Sequence, residues 1–196
     1  MQLILASASP RRRDLLAGLG LEPVIRPVDL DETPHPGETA RVYVERLAVE
    51  KAAADARAGE LVLAADTVVA LDGTLLGKPA DANDARSMLK RLAGRAHEVS
   101  TGVAVRRLDA NGAVVHKASA VATTRVAFAA MTRAEIDWYV ATGEPMDKAG
   151  AYAVQGRAAL FIDAVEGEYS NVVGLPLRLT YRMLRAAGYD LLERSS

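Results

Sequence analysis

The chain has 196 residues, 50% of them hydrophobic and 25% charged, and its 24 basic and 25 acidic side chains leave a net charge of −1. A chain of that length can bury ~70% of its extended surface without metal or disulfide staples, and the composition excludes a fibre or a disordered tail. The near-neutral balance argues against nucleic-acid or membrane-surface binding, and the absence of cysteine excludes disulfides, thiolate catalysis and Cys-ligated metal. No run approaches the ~20 apolar residues of a membrane span. Residues 1–9 hold an A-x-A pattern, but they lack the basic start and long apolar run of a signal peptide. A cytoplasmic location is therefore expected.

Leu3-Ile4-Leu5 reads as a buried strand, and Ser9-Pro10 as an N-cap with first-turn proline opening a helix to about Leu19, stopped at Gly20. Residues 23–27 read as a second strand and the proline-rich stretch 29–37 as a loop. The longest helical pattern, 39–58, places Ala40, Val44, Leu47, Lys51 and Ala54 on one stripe. An apolar strand from Leu61 to Ala65 is expected to end at Asp66, and 68–71 to turn back through Asp72-Gly73. Asp81 or Asn83 caps a helix that turns Ala85, Met88, Leu89 and Leu92 inward. Two long strands, 97–108 and 113–128, flank the hairpin dipeptide Asn111-Gly112. Thr132 to Glu135 has capping-box spacing for a helix ending near Gly143. A strand at 158–165, a polar turn and a last helix at about 176–187 complete the chain. This alternation implies α/β layers with an antiparallel hairpin in the sheet, in a single domain over 1–196 without a separable linker.

Several residues fit these elements poorly. Arg11, Arg12 and Arg13 stand in the first turn of a helix, where acids are favoured. A bound polyanion at the helix N-terminus would relieve the conflict, and splaying into solvent would too. Lys51 on an apolar stripe is either a snorkelling edge residue or an ammonium aimed into a cleft. Asp66, at the end of its strand, is a candidate base or metal ligand or else a turn-forming Asp. Asp29, Asp31 and Glu32 read as a solvated charge run or a second carboxylate source. Lys78 in Gly77-Lys78-Pro79 and Lys148 in the segment 143–152 are each weak signals. Gln155 before Gly156 offers a bidentate amide beside a pocket-shaping turn. His35, His97 and His116 lack metal-ligand spacing, and no nucleotide-binding glycine loop or nucleophile elbow is present.

Taken in order, Leu3-Ile4-Leu5-Ala6-Ser7-x-Ser9-Pro10-Arg11-Arg12, Ala65-Asp66-Thr67-Val68-Val69, Gly77-Lys78-Pro79, 147–152 and Val173-Gly174-Leu175-Pro176 strongly resemble the Maf family of nucleoside triphosphate pyrophosphatases, over nearly the whole chain. The resemblance implies an inosine-triphosphatase-like α/β fold, with a mixed elongated sheet flanked by helices and two lobes around a central cleft. It also implies a metal-dependent enzyme, using Mg or Mn, that hydrolyses a nucleoside triphosphate to the monophosphate and pyrophosphate. Asp66 corresponds to the family's general base and Glu32 matches its polar cleft pattern; Mg or Mn would be held by Asp66 or Glu32 together with phosphate oxygens, with Asp66 as base, ligand or both. Ser7, Arg12, Lys51 and Lys78 match its polar cleft residues, and Lys148 is a further phosphate-binding candidate. In the dTTP/UTP branch an arginine, a threonine and a glutamine set base preference, and they stand here as Arg11, Thr67 and Gln155. The 7-methyl-GTP branch typically carries tryptophan, glutamine and glutamate there. A 7-methyl-GTP or other non-canonical purine pyrophosphatase and a non-catalytic regulator of septum formation are the competing readings. A homodimer is an expectation at family level alone.

Overall fold

The computed structural model describes residues 1–191. In chain order the elements are β1 (Gln2–Leu5), α1 (Pro10–Ala17), β2 (Val24–Ile25), α2 (Ala40–Ala54), β3 (Glu60–Leu71), β4 (Thr74–Leu76), α3 (Ala82–Leu92), β5 (Ala96–Leu108), β6 (Val114–Phe128) and α4 (Arg133–Ala141). Three 3-10 turns follow at Glu144–Asp147, Ala149–Ala151 and Arg157–Phe161, and then β7 (Ile162–Glu166), α5 (Tyr169–Val173) and α6 (Leu177–Ala186). The sheet is mixed α/β architecture in the order β2-β1-β3-β5-β6-β7, with β4 paired to β3. β1 pairs in parallel with β2 and β3, while β4 and β7 pair antiparallel with β3 and β6. The chain forms two compact units: Met1–Asp66, Thr101–Ala122 and the stretch from Gly174 onward in the first, Thr67–Ser100 and Thr123–Val173 in the second.

In the first unit the period-2 alternation of the strands sorts side chains onto two faces. Leu3, Leu5, Leu61, Leu63, Ala65, Val103 and Val105 join Leu16 of α1 and Met183 and Leu184 of α6 in one core cluster. Ile4, Ala6, Val62, Ala64 and Ala104 join Ala48 and Ala52 of α2 in another. Even-numbered positions of β3 therefore face α2, and the series Val62, Ala64 runs on to Asp66. The close approach of α2 to the sheet depends on Gly102 in β5. A Cβ there would lie 2.2 Å from the main-chain oxygen of Val44, a clash that only backbone movement could relieve.

Several boundaries differ from the sequence reading. α1 ends at Ala17 rather than near Leu19, and Ser9 stands at its N-cap without a side-chain cap bond. The second strand shrinks to Val24–Ile25. α2 stops at Ala54, which is exposed, so the apolar stripe is carried by Val44, Leu47, Ala48, Lys51 and Ala52. β3 does not end at Asp66; it runs unbroken to Leu71, because the apolar residues on either side of the carboxylate keep the ladder buried. The expected strand at 158–165 begins only at Ile162, after a 3-10 turn, and α5 occupies what reads as a polar turn. Other expectations hold: Asp81 caps α3 through the main-chain N–H groups of Asn83 and Asp84, and the capping box of α4 is complete.

The second unit's core packs α3 against α4 and contains an aromatic group in which His97, Phe128 and Tyr152 meet edge to face with centroids 4.8 to 5.3 Å apart. His97 lies in β5, with Nε2 2.8 Å from the Tyr152 hydroxyl. Burial holds its pKa down to about 4. Between that value and the ordinary His pKa the unfolded chain binds a proton that the folded chain refuses, so stability falls as pH drops through this window. The full term amounts to roughly 3 kcal/mol. Urea unfolding of the wild type and of His97→Gln should show the wild-type advantage shrinking between neutral and pH ~4.5. An advantage independent of pH would refute the assignment.

Candidate active site

Five of the residues singled out in the sequence come together in the first unit. Lys51 lies on the inward stripe of α2, one turn beyond Leu47, and is buried with 7% of its surface exposed. Its Nζ donates to Asp66 Oδ1 at 2.7 Å and to Glu32 Oε1 at 2.5 Å. The lysine is thus a buried ammonium rather than a snorkelling one. Glu32 lies in an exposed stretch, yet the loop from 29 to 37 brings its half-exposed carboxylate to the same cation. Asp31 turns back to accept from the Thr33 N–H at 2.9 Å, which shapes that loop.

Arg12 is the inward-facing member of the arginine triplet. Its Nε donates to the main-chain oxygen of Gly174 at 2.8 Å and one terminal nitrogen donates to Ser7 Oγ at 2.9 Å. Ser7 Oγ also accepts from the Ser9 N–H at 3.2 Å. Arg13 instead pairs with its neighbour Asp14 at the surface, and Arg11 is half-buried in the first turn of α1. That first turn contains no acidic residue, so the positive helix end, Arg11 and Arg12 accumulate charge of one sign.

Electrostatics in this cluster are set by burial. Desolvation is the largest influence on Asp66 and raises its pKa above the ordinary Asp value, while Lys51 and then Arg12 pull it back. The result is a carboxyl more basic than an exposed aspartate. Desolvation likewise lowers the pKa of the Arg12 guanidinium, partly offset by Asp66.

Tyr43 and Arg46, which spacing alone did not single out, fix the Glu32 loop. The Tyr43 hydroxyl donates to the main-chain oxygen of Glu32 at 2.9 Å, and Arg46 donates to that of Thr33 at 3.3 Å. Arg46 also forks onto both oxygens of Glu38 at 2.7 and 2.8 Å. A tyrosine and an arginine three residues apart on the helix after a charged loop were the available signal.

The second unit holds four of the remaining five, Arg11 lying in α1 of the first. Thr67 follows Asp66 in β3 and is half-buried. Lys78 is exposed, while Lys148 is half-buried and engages Asp147 and the main-chain oxygen of Glu144. Their two loops are tied by the Gly150 N–H, which donates to the Gly77 oxygen at 3.0 Å. Gly150 and Ala151 both adopt positive φ, 68° and 60°; for alanine this is a strained conformation. Gln155 is exposed in the turn at 153–156.

Hard oxygen donors from Glu32 and Asp66, already converging on one cation, suit Mg or Mn rather than a soft metal. Among the described residues no group of three or more His, Cys, Asp or Glu side chains could hold an ion. An ion here would need phosphate oxygens or water to complete its shell, which is the ordinary habit of Mg at phosphate-handling sites.

A buried acid–base pair near an arginine and a helix start without a side-chain cap is the kind of arrangement that suits an anionic phosphate ligand. The family model described as Maf-like protein matches residues 2–187, and the chain belongs to that family. It is 59% identical over 190 residues to a dTTP/UTP pyrophosphatase of Anaeromyxobacter sp. (strain Fw109-5), covering 97% of this chain and 91% of that one. It is 53% identical over 196 residues to a dTTP/UTP pyrophosphatase of Myxococcus xanthus (strain DK1622), covering 99% and 96%. Among solved structures, a nucleoside-triphosphatase / dITP/XTP pyrophosphatase of Mycobacterium abscessus overlaps 65% of this chain and 73% of its own at 16% identity and a TM-score of 0.38, too slight a likeness to bear on the fold.

Breaking a buried ion pair by removing one partner costs roughly 3–5 kcal/mol. Lys51→Met should lose about that much in urea unfolding, and Lys51→Met/Asp66→Asn should recover most of it. Failure of the second change to restore stability would mean that the pair is not what Lys51 stabilises.

Proposed function

We propose that this protein hydrolyses dTTP and UTP to the nucleoside monophosphate and pyrophosphate. The observation that carries the reading is the buried Lys51 ammonium held between Asp66 and Glu32 beside the Arg12–Ser7 pair, in a Maf-family chain whose relatives are dTTP/UTP pyrophosphatases.

A triphosphate brings about four negative charges near neutral pH, and fixed cations are what such a substrate requires. Arg12 would grip phosphate oxygens with its planar fork, already oriented by Gly174 and Ser7, while Lys51 would act as a point charge. As Lys51 turns toward phosphate, Asp66 loses its main counter-charge and becomes a stronger proton acceptor. Asp66 would then take a proton from an attacking water as its oxygen bonds to the α-phosphorus. The bond to the bridging oxygen breaks, and pyrophosphate leaves with the electron pair.

Glu32 and Asp66 are the residues that would hold a divalent ion, Mg or Mn, and such an ion would supply Lewis-acid charge at the phosphate. In the second unit Lys78 and Lys148 keep the substrate-binding role, and Thr67 and Gln155, with Arg11 of α1, the base-recognition role, that family membership suggests.

Pyrophosphate release from dTTP, UTP and 7-methyl-GTP, with and without added Mg, tests the reading directly. The two pyrimidine nucleotides should be hydrolysed faster, and Asp66→Asn should lower turnover by ~10²-fold or more while remaining folded. Preference for 7-methyl-GTP would overturn the specificity, and near-normal turnover by Asp66→Asn would remove that residue from the mechanism.

A further inference from the structure

Gln155 is exposed, yet the turn that carries it is fastened with unusual care. The Gly156 N–H donates to the Ala153 oxygen at 3.0 Å, which makes 153–156 a β-turn with Gln155 at its third position. Two side chains from outside the turn hold it on either side of Gln155. The Tyr139 hydroxyl accepts from the Ala153 N–H at 3.2 Å and donates to Glu144 Oε1 at 2.8 Å. The other Glu144 oxygen accepts from the Arg157 N–H at 3.1 Å.

Each member of this clasp is itself fixed. Tyr139 is fully buried on α4, and burial with Glu144 beside it keeps its phenol protonated well past the ordinary tyrosine range. The hydroxyl is therefore a constant donor. Glu144 is anchored through its own N–H, which donates to Thr142 Oγ1 at 3.2 Å, while that hydroxyl donates to the Tyr139 oxygen at 2.6 Å. A Cβ at 156 would lie 2.2 to 2.5 Å from the Glu144 carboxyl atoms, so any other residue there would push that carboxylate from its place. The carboxylate and the turn backbone thus pack closer than any side-chain-bearing residue permits.

We propose that Tyr139 and Glu144 are positioning residues for base discrimination, holding the Gln155 turn so that its amide meets the N3–H and O4 of a uracil or thymine ring together. The inference rests on the reading of Gln155 as a base-recognition residue. An amide offers one donor side and one acceptor side, and both can be used at once only if the backbone beneath them is set to within a fraction of an ångström. A turn released at Ala153 or Arg157 would keep its sequence and lose that placement.

The test compares kcat/KM for dTTP and dCTP in the wild type, Tyr139→Phe, Glu144→Gln, Gln155→Ala and Tyr139→Phe/Gln155→Ala. Tyr139→Phe should lower the dTTP:dCTP ratio by about tenfold, through KM for dTTP rather than kcat, and should lower it no further once Gln155 is alanine. Glu144→Gln, which keeps the shape of the side chain, should move the ratio in the same direction and serves if the phenylalanine variant folds poorly. Equal losses on both nucleotides with the ratio intact would show a merely structural role and overturn the proposal. So would a ratio that falls in Gln155→Ala but in neither clasp variant. An unchanged ratio in Gln155→Ala would defeat the underlying reading of Gln155 and the inference with it.

Discussion

A lysine ammonium shut away from water is tolerable only when acidic oxygens surround it, and in the first unit Lys51 has Asp66 and Glu32 at hydrogen-bond distance. The desolvation penalty on each ion is several kcal/mol, so the arrangement persists only where geometry is good on all sides. That requirement reaches outward through the unit. α2 must lie against the sheet, which Gly102 permits by leaving room for Val44. Asp66 must fall on the α2 face of β3, which the alternation from Val62 and Ala64 enforces. The Glu32 loop must be held, and Tyr43 and Arg46 hold it by its main-chain oxygens.

In the proposed reaction the same cluster would exchange partners. Two carboxylates on one ammonium leave net negative charge, and α1 opposes it with a positive helix end, Arg11 and Arg12. A purely structural salt bridge would gain nothing from a second acidic partner or from arginines at the wrong end of a helix.

Much of this could be seen in the linear chain. The strand–helix starts, the hairpins at Asp72-Gly73 and Asn111-Gly112 and the capping box at Thr132 depend on local chemistry, and they form nearly where spacing puts them. Lys51 on an apolar stripe and arginines in a first helical turn were legible as anomalies, but spacing could not say which anomaly was functional. Ends of elements were less visible: α2 and α1 stop early and β3 runs on, because burial by distant residues outweighs the local signal at Ala54, Leu19 and Asp66. Side chains that act on another segment's backbone, such as Tyr43, Tyr139 and Glu144, left almost no trace, since their partners are main-chain atoms common to every sequence.

One feature of α4 carries a practical consequence. The sole tryptophan of the chain, Trp138, is adjacent to Tyr139, stands 46% exposed and meets the ring of Phe161 at 6.4 Å. Phe161 closes the 3-10 turn that begins right after Gly156. The indole therefore stands against the end of the turn that follows Gly156, an intrinsic fluorophore that needs no dye or introduced label.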